Sequence, residues 1–311
     1  MNEFAIFADA TCDLSDDLRA KYNINCVKGH VTFPDGSQKD GICSWDGYDK
    51  DAFYKDLRKN PNGYSTSPAS PEEFKEAFEP TLKEGKDILA ICISTALSGT
   101  YNFMNQAKAE LEKKYPDRKI LVVDSLRFTT GFGLICVQAS ILRSEGKSID
   151  EVYGWVEANK YNYHQCGYLD DLSFVAAKGR ISKAKAFMGQ LVGIKPFGEL
   201  DKTGLTTVLG QVKGDKAAIK GFIEYMKATI ENPEDQIVFV ATTNRMKQAL
   251  VYKEAIEREI HPKEVIINEV YIQDAVNVGP GLMCSYYYGK RITDDLTYEK
   301  NLVQEIIKKL E

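Results

Sequence analysis

Asp87-Ile88-Leu89-Ala90-Ile91-Cys92, followed by Ile93-Ser94-Thr95-Ala96-Leu97-Ser98-Gly99-Thr100-Tyr101, decides the fold class. After its first residue, Asp87–Cys92 is an apolar run with the length of a buried strand. The chain then turns small, polar and glycine-containing, and a helical pattern begins near Tyr101. A strand feeding a Ser-Gly-Thr turn into a helix start brings hydroxyls and backbone N–H groups to one point. The first N–H groups of a helix have no intrahelical partner, and the helix dipole favours negative charge beside them. The segment is therefore expected to bind an anionic head group, a carboxylate or a phosphate.

The same alternation extends to both sides. Phe4–Ala8 reads as a buried strand ending in Asp9-Ala10-Thr11, and Ser15–Tyr22 as a short helix. Asn25–Phe33 reads as one strand stopped by the turn Pro34-Asp35-Gly36. Tyr48–Arg58 has helical spacing, and Asn60–Ser70 reads as a loop. Ser70 then caps a helix, with Pro71 at its first position and Glu73 completing a capping box. A helix over Tyr101–Lys114 leads to a strand at Lys119–Val123. Strands separated by helices of this length predict βαβ units and a mainly parallel sheet with helices on both faces. Gly131–Leu142 is apolar almost all round, which predicts a helix buried on most sides. Ser148 and Glu151 cap a further helix over Ile149–Tyr161.

The domain junction is placed between about 148 and 162, giving an N-terminal α/β domain over 1–155 and a mixed α/β domain over 156–311. In the second domain, His164–Tyr168 is a weak strand, followed by short helical pieces at Asp170–Ala177 and Ser182–Leu191. Ile194–Phe197 and Leu205–Gln211 are expected to pair across Asp201–Gly204. Helices are predicted at Lys216–Ile230, Met246–Ile260 and Tyr298–Leu310. Strands are predicted at Gln236–Ala241, Val265–Tyr271 and Leu282–Tyr288.

Composition narrows the function. Of the 311 residues, 43% are hydrophobic and 27% charged, as in ordinary globular proteins. A net charge of −5 argues against nucleic acid as the main partner. No apolar stretch reaches the ~20 residues that span a bilayer, and the N-terminus lacks the pattern of a secretion signal, so a cytoplasmic location is expected. The seven cysteines are widely spaced with no Cys-x-x-Cys pair, and the three histidines show no ligand spacing, so no metal is expected.

Three polar segments could carry chemistry: Tyr64–Pro71, Ser94–Thr100, and Asn277-Val278-Gly279-Pro280-Gly281. Ligands of open α/β sheets bind at the carboxyl ends of strands, so the first two could converge there. Each also has a plain structural alternative as a cap or a turn. Gly131-Phe132-Gly133 resembles the opening of a dinucleotide fingerprint, but position 136 is Cys and the strand context is poor. A Gly-x-Ser-x-Gly elbow, a Walker loop and a His-Glu-x-x-His motif are all absent from the sequence.

Taken together, the chain resembles the DegV family of bacterial fatty-acid-binding proteins, which includes the FakB subunits of fatty acid kinase. The likeness covers nearly the whole sequence. It is carried by Phe7-Ala8-Asp9-Ala10-Thr11-Cys12-Asp13-Leu14, Thr66-Ser67, Ser94–Tyr101 and Val123-Asp124-Ser125. Lys178-Gly179-Arg180-Ile181-Ser182, Lys195-Pro196 and Gly279-Pro280-Gly281 complete it. The resemblance implies a two-domain DegV-like fold that buries a long-chain fatty acid and uses no cofactor. The carboxylate would meet Thr66 and Ser98, with Ser67, Gly99, Thr100 and Asn277 in the same set. Each buried methylene contributes ~0.8 kcal/mol, so the acyl tail would supply most of the affinity. The helix 131–142 and Phe187, Met188, Leu191 and Val192 are candidate walls, with ordinary core as the alternative for both.

In the FakB mode the protein would be a non-catalytic carrier that presents the carboxylate to a separate kinase subunit, and Arg180 would be a docking residue. FakB-like members carry a histidine two residues before Gly-Pro-Gly, and this chain has Asn277, which cannot become cationic. Pro68-Ala69 also stands where the family usually has a Gln-Pro pair. Two alternatives follow: an enzyme acting on a small carboxylate or phosphate, and a lipid sensor or storage protein without a kinase partner.

Overall fold

The computed structural model describes residues 3–181 and 193–310. The expected helix Ser182–Leu191 and the expected wall residues Phe187, Met188, Leu191 and Val192 lie outside the described residues. The chain forms two compact units. The first comprises Met1–Asp46, Tyr64–Lys160 and Tyr271–Gln273, and the second Gly47–Gly63, Tyr161–Val270 and Asp274–Glu311. The helix Ile149–Asn159 runs across the 155/156 boundary expected from sequence. Among the described residues, no helix is long and apolar enough to cross a membrane.

The first unit holds seven strands: β1 (Phe4–Asp9), β2 (Ile24–Val27), β3 (His30–Thr32), β4 (Gln38–Asp40), β5 (Ser65–Ser67), β6 (Asp87–Cys92) and β7 (Ile120–Asp124). Four of them form a parallel sheet in the order β2-β1-β6-β7. β6 is buried at every position, as its apolar run predicts. On one face, Phe7, Ala90 and Cys92 pack against Phe74 and Phe78 of the helix Pro71–Lys83 and Met104 of the helix Thr100–Lys114. The helices Thr130–Ser144 and Ile149–Asn159 also pack on the sheet. Both expected capping boxes are present, from Ser70 to Glu73 and from Ser148 to Glu151.

Two expectations are corrected here. Asn25–Phe33 is two strands in two sheets, because the chain leaves the parallel sheet at Lys28-Gly29 and joins a small antiparallel sheet of order β4-β3-β5. Only glycine fits at that crossing. A Cβ on Gly29 would lie 2.6 Å from the Ser67 carbonyl and 2.3 Å from the Gln273 amide nitrogen. The Asn60–Ser70 loop contains β5, which pairs with β3 through Val31 and Thr66. Three residues are too few for any periodicity to register.

The second unit carries β8 (Tyr163–Leu169), β9 (Ile194–Leu200), β10 (Thr206–Lys213), β11 (Ile237–Thr242), β12 (Glu264–Glu269) and β13 (Leu282–Tyr288). Their order is β10-β9-β8-β13-β11-β12, antiparallel except for the parallel pair β11/β12. β8 gave only a weak signal in sequence yet is buried throughout. Glu199 meets its polar residues: His164 Nδ1 lies 2.8 Å from Glu199, and the Gln165 backbone amide donates to Glu199 at 2.9 Å. The core is rich in aromatic residues. Phe197 and Phe222 meet edge to face at 4.6 Å, and Tyr252 reaches Ser285 at 2.9 Å.

Candidate functional site

The loop after β6 is built from both of its neighbours. Its first polar residue, Ser94, is buried, and the Ser94 amide donates to the Arg127 carbonyl at 2.9 Å. Ser94 turns the chain by accepting at its carbonyl from the amides of Leu97 at 3.0 Å and Ser98 at 3.1 Å. Thr95 is tied to the end of β7: its hydroxyl donates to Asp124 at 2.6 Å and its amide at 3.2 Å. Asp9, at the end of β1, accepts the Ile93 amide at 3.1 Å. Three adjacent strand ends therefore hold this loop in place.

Ser98, Gly99 and Thr100 stand together as expected. The Ser98 and Thr100 hydroxyls are 2.8 Å apart, with Ser98 half-buried and Thr100 buried. Gly99 is the N-cap of the helix Thr100–Lys114 and brings no capping side chain, while the Thr100 amide donates to the Ser98 hydroxyl at 3.4 Å. The space where a Gly99 side chain would lie is open. A helix start with glycine at its N-cap and two hydroxyls beside it can accept an anion by hydrogen bonding alone, without a salt bridge.

Thr66 and Ser67 lie on β5 of the small sheet, Thr66 half-buried and Ser67 exposed. The Ser67 carbonyl accepts from the Gln273 side-chain amide at 3.3 Å. Just beyond this strand, Glu73 accepts from the Ser70 amide at 2.7 Å and pairs with His30 at 2.9 Å, fixing the next helix to β3.

Asn277 departs from expectation. It stands in the last turn of the helix Ile272–Val278 and not in the polar turn that follows. Gly279-Pro280-Gly281 is that turn, and it is held within the second unit. The Thr243 hydroxyl donates to the Gly279 carbonyl at 2.8 Å, and the Gly281 amide donates to the Thr243 carbonyl at 2.8 Å. Gly279 has φ +74°, and a Cβ there would lie 2.4 Å from the Phe174 ring. Beside the turn, Asp170 is paired with Lys195 and Arg245, and Lys195 also meets Asp215 at 3.0 Å.

Arg180 is exposed and follows Gly179 at φ +70°, a left-handed residue that ends the helix Ser173–Ala177. Its amide donates to the Val175 carbonyl at 2.8 Å, and its guanidinium to the Lys178 carbonyl. Gly131 and Gly133 are interior to the helix Thr130–Ser144. A Cβ on Gly133 would lie 2.6 Å from the Cys12 carbonyl, so this glycine serves helix packing.

Sequence reasoning missed Asp9, Asp124 and the Arg127 carbonyl as supports of the Ser94–Thr100 loop. Their only sequence signal was an acidic or polar residue at each strand end. It also missed a thiol cluster. Cys12, Cys26 and Cys43 bring their sulfurs within 4.8 Å of one another, and they are the one group of three such ligands found among the described residues. The neighbouring Cys12 thiol, helped by the charges of Arg19 and Lys28, holds the Cys26 thiol well below its usual range. Burial pushes the Cys12 thiol up.

Known proteins resemble this chain along nearly its whole length. The family model described as "Uncharacterised protein, DegV family" matches residues 3–290. A DegV domain-containing protein of Clostridium perfringens, CPE0026, is 33% identical over 289 residues, 93% of this chain and 98% of its own. The solved structure described as "Fatty Acid Binding of a DegV family Protein from Thermus thermophilus" has a TM-score of 0.83 at 26% identity, covering 93% of this chain and 100% of that one. The Streptococcus pneumoniae Fatty Acid Kinase (Fak) B3 protein, loaded with linoleic acid, shares the fold with a TM-score of 0.77 at 20% identity, covering 92% of this chain and 99% of its own. With the match running through both units and the expected loops at strand ends, the chain belongs to the DegV family.

Proposed function

We propose that the protein is a cytoplasmic, non-catalytic carrier that binds a long-chain fatty acid. The carboxylate sits at Ser98, Gly99 and Thr100 with Thr66 and Ser67, all in the first unit, and the acyl tail occupies an apolar interior. The observation that carries this reading is the start of the helix Thr100–Lys114, with glycine at its N-cap and the Ser98–Thr100 hydroxyl pair beside it. It occurs in a chain 26% identical, over 93% of its length, to a DegV protein described by its fatty acid binding. A carboxylate is stabilised there by charge-assisted hydrogen bonds, each worth roughly 1.5–3 kcal/mol. The tail contributes ~0.8 kcal/mol per buried methylene.

Presentation of the carboxylate to a separate kinase subunit is the further step of this proposal. It rests on the resemblance to FakB, with Arg180 as the docking residue on an exposed turn. Asn277 would replace the family's histidine by a neutral hydrogen-bonding group in the second unit. The carrier reading is tested by native mass spectrometry of the purified protein followed by solvent extraction. A near-stoichiometric fatty acid released on denaturation supports it and names the cargo. A protein that comes empty and takes up no added fatty acid overturns it in favour of a small-anion enzyme.

A further inference from the structure

Cys12, Cys26 and Cys43 come from three segments of the first unit: the 3-10 turn after β1, β2 itself, and the loop after β4. β2 runs parallel to β1 with Cys26 opposite Ala8, so strand pairing sets the position of this sulfur. The Cys43 thiol donates to the Ala10 carbonyl at 3.0 Å, which holds its loop against the turn that carries Cys12. The Cys26 and Cys43 sulfurs are 3.9 Å apart, and all three lie within 4.8 Å of one another. Cys12 and Cys43 are buried and Cys26 is half-buried.

We propose that Cys12, Cys26 and Cys43 form a three-sulfur site for a thiophilic d10 cation, zinc(II) or copper(I). Thiolates bind such ions at about 2.3 Å, which spaces three sulfurs around one ion by roughly 3.8–4.0 Å. The Cys26–Cys43 pair already has that spacing, and side-chain shifts of about an ångström bring in the third sulfur. Sulfur ligands select soft ions over magnesium or calcium, which require oxygen. As each metal–sulfur bond forms, the ligating thiol gives its proton to solvent and no electrons are transferred. The ion closes the 17-residue span from Cys26 to Cys43, which contains β3 and β4. It thereby fastens the strand that pairs with the Thr66 segment to the end of the parallel sheet.

The test uses the full chain, reduced and metal-free, titrated anaerobically with zinc(II) and separately with copper(I) held by a competing chelator. Cobalt(II) serves as the spectroscopic probe. The expected results are one equivalent of zinc or copper, a thiolate-to-cobalt charge-transfer band, a higher Tm with metal, and protection of three thiols from alkylation. Whichever ion saturates the site identifies it. Cys26→Ser should abolish the charge-transfer band and weaken binding about 100-fold, with the circular dichroism of the wild type. Cys43→Ser provides the same test if Cys26→Ser does not fold. No saturable binding at one equivalent overturns the proposal, as does equal binding by both variants. Formation of a Cys26–Cys43 disulfide with glutathione disulfide, without metal uptake by the reduced protein, also overturns it.

Discussion

The Asp9 carboxylate accepts the Ile93 amide at 3.1 Å, joining residues 84 positions apart at the ends of the adjacent strands β1 and β6. It also accepts from the Thr11 amide at 3.0 Å and from the Thr11 hydroxyl. The contact fixes the residue just before Ser94, so the Ser94–Thr100 loop inherits its position from the first strand of the sheet.

Burial pushes the Asp9 carboxyl up from 3.8 to about 6, against the lowering effect of its hydrogen bonds. The folded protein therefore takes up this proton before the unfolded chain does. The contribution of Asp9 to stability grows as pH falls from 6 towards 3.8, and above pH 6 the buried charge costs about 3 kcal/mol relative to the neutral acid. In urea unfolding, the stability of the wild type relative to Asp9→Asn should rise by about 2 kcal/mol between about pH 7 and 4.5. A difference that stays constant over that range would show that the folded pKa is not raised.

Ser98→Ala removes one of the paired hydroxyls at the helix start and leaves the half-buried position otherwise unchanged. Loss of a hydrogen bond to a carboxylate predicts roughly ten- to hundredfold weaker fatty acid binding. Thr66→Val should behave alike while keeping the β-branched shape its strand favours. Displacement of a fluorescent fatty acid measures both. Wild-type affinity in the two variants would move the head group elsewhere.

Gly279→Ala places a methyl group on the Phe174 ring at a backbone angle of +74°. Steric conflict and left-handed strain together predict a loss of about 2 kcal/mol or more. The denaturation midpoint of Gly279→Ala against the wild type checks this. Phe174→Leu in the same background should recover part of the loss by clearing the ring.

Arg180→Ala should lower acyl-phosphate formation by an added fatty acid kinase several-fold while leaving fatty acid affinity unchanged, because its guanidinium lies on an exposed turn. Asn277→His should raise the same coupled rate if the imidazole is the missing element of phosphoryl transfer. An equal fall in lipid binding with Arg180→Ala would assign Arg180 to the ligand site. No change with Asn277→His would remove position 277 from the coupling step.

Much of the candidate site was legible because its signals are local. The Ser70 and Ser148 capping boxes, the apolar β6 followed by Ser98-Gly99-Thr100, and the late strand Leu282–Tyr288 all depend on neighbours a few residues apart. The Gly-Pro-Gly turn was legible, but the placement of Asn277 was not. The helix Ile272–Val278 is too short for a reliable 3.6-residue period, so only packing shows that it reaches that residue.

Sequence alone determined the alternation of strands and helices, the hydroxyl-rich helix start and the family, since propensities, caps and ordered motifs are written in adjacent residues. Tertiary structure decided which strands lie side by side. It split Asn25–Phe33 between two sheets, set Asp9 against Ile93, and brought Cys12, Cys26 and Cys43 within 4.8 Å. The physical reason is that parallel neighbours are joined by crossover connections whose length says nothing about strand order. Residues far apart in the chain therefore become partners only once the sheet has assembled.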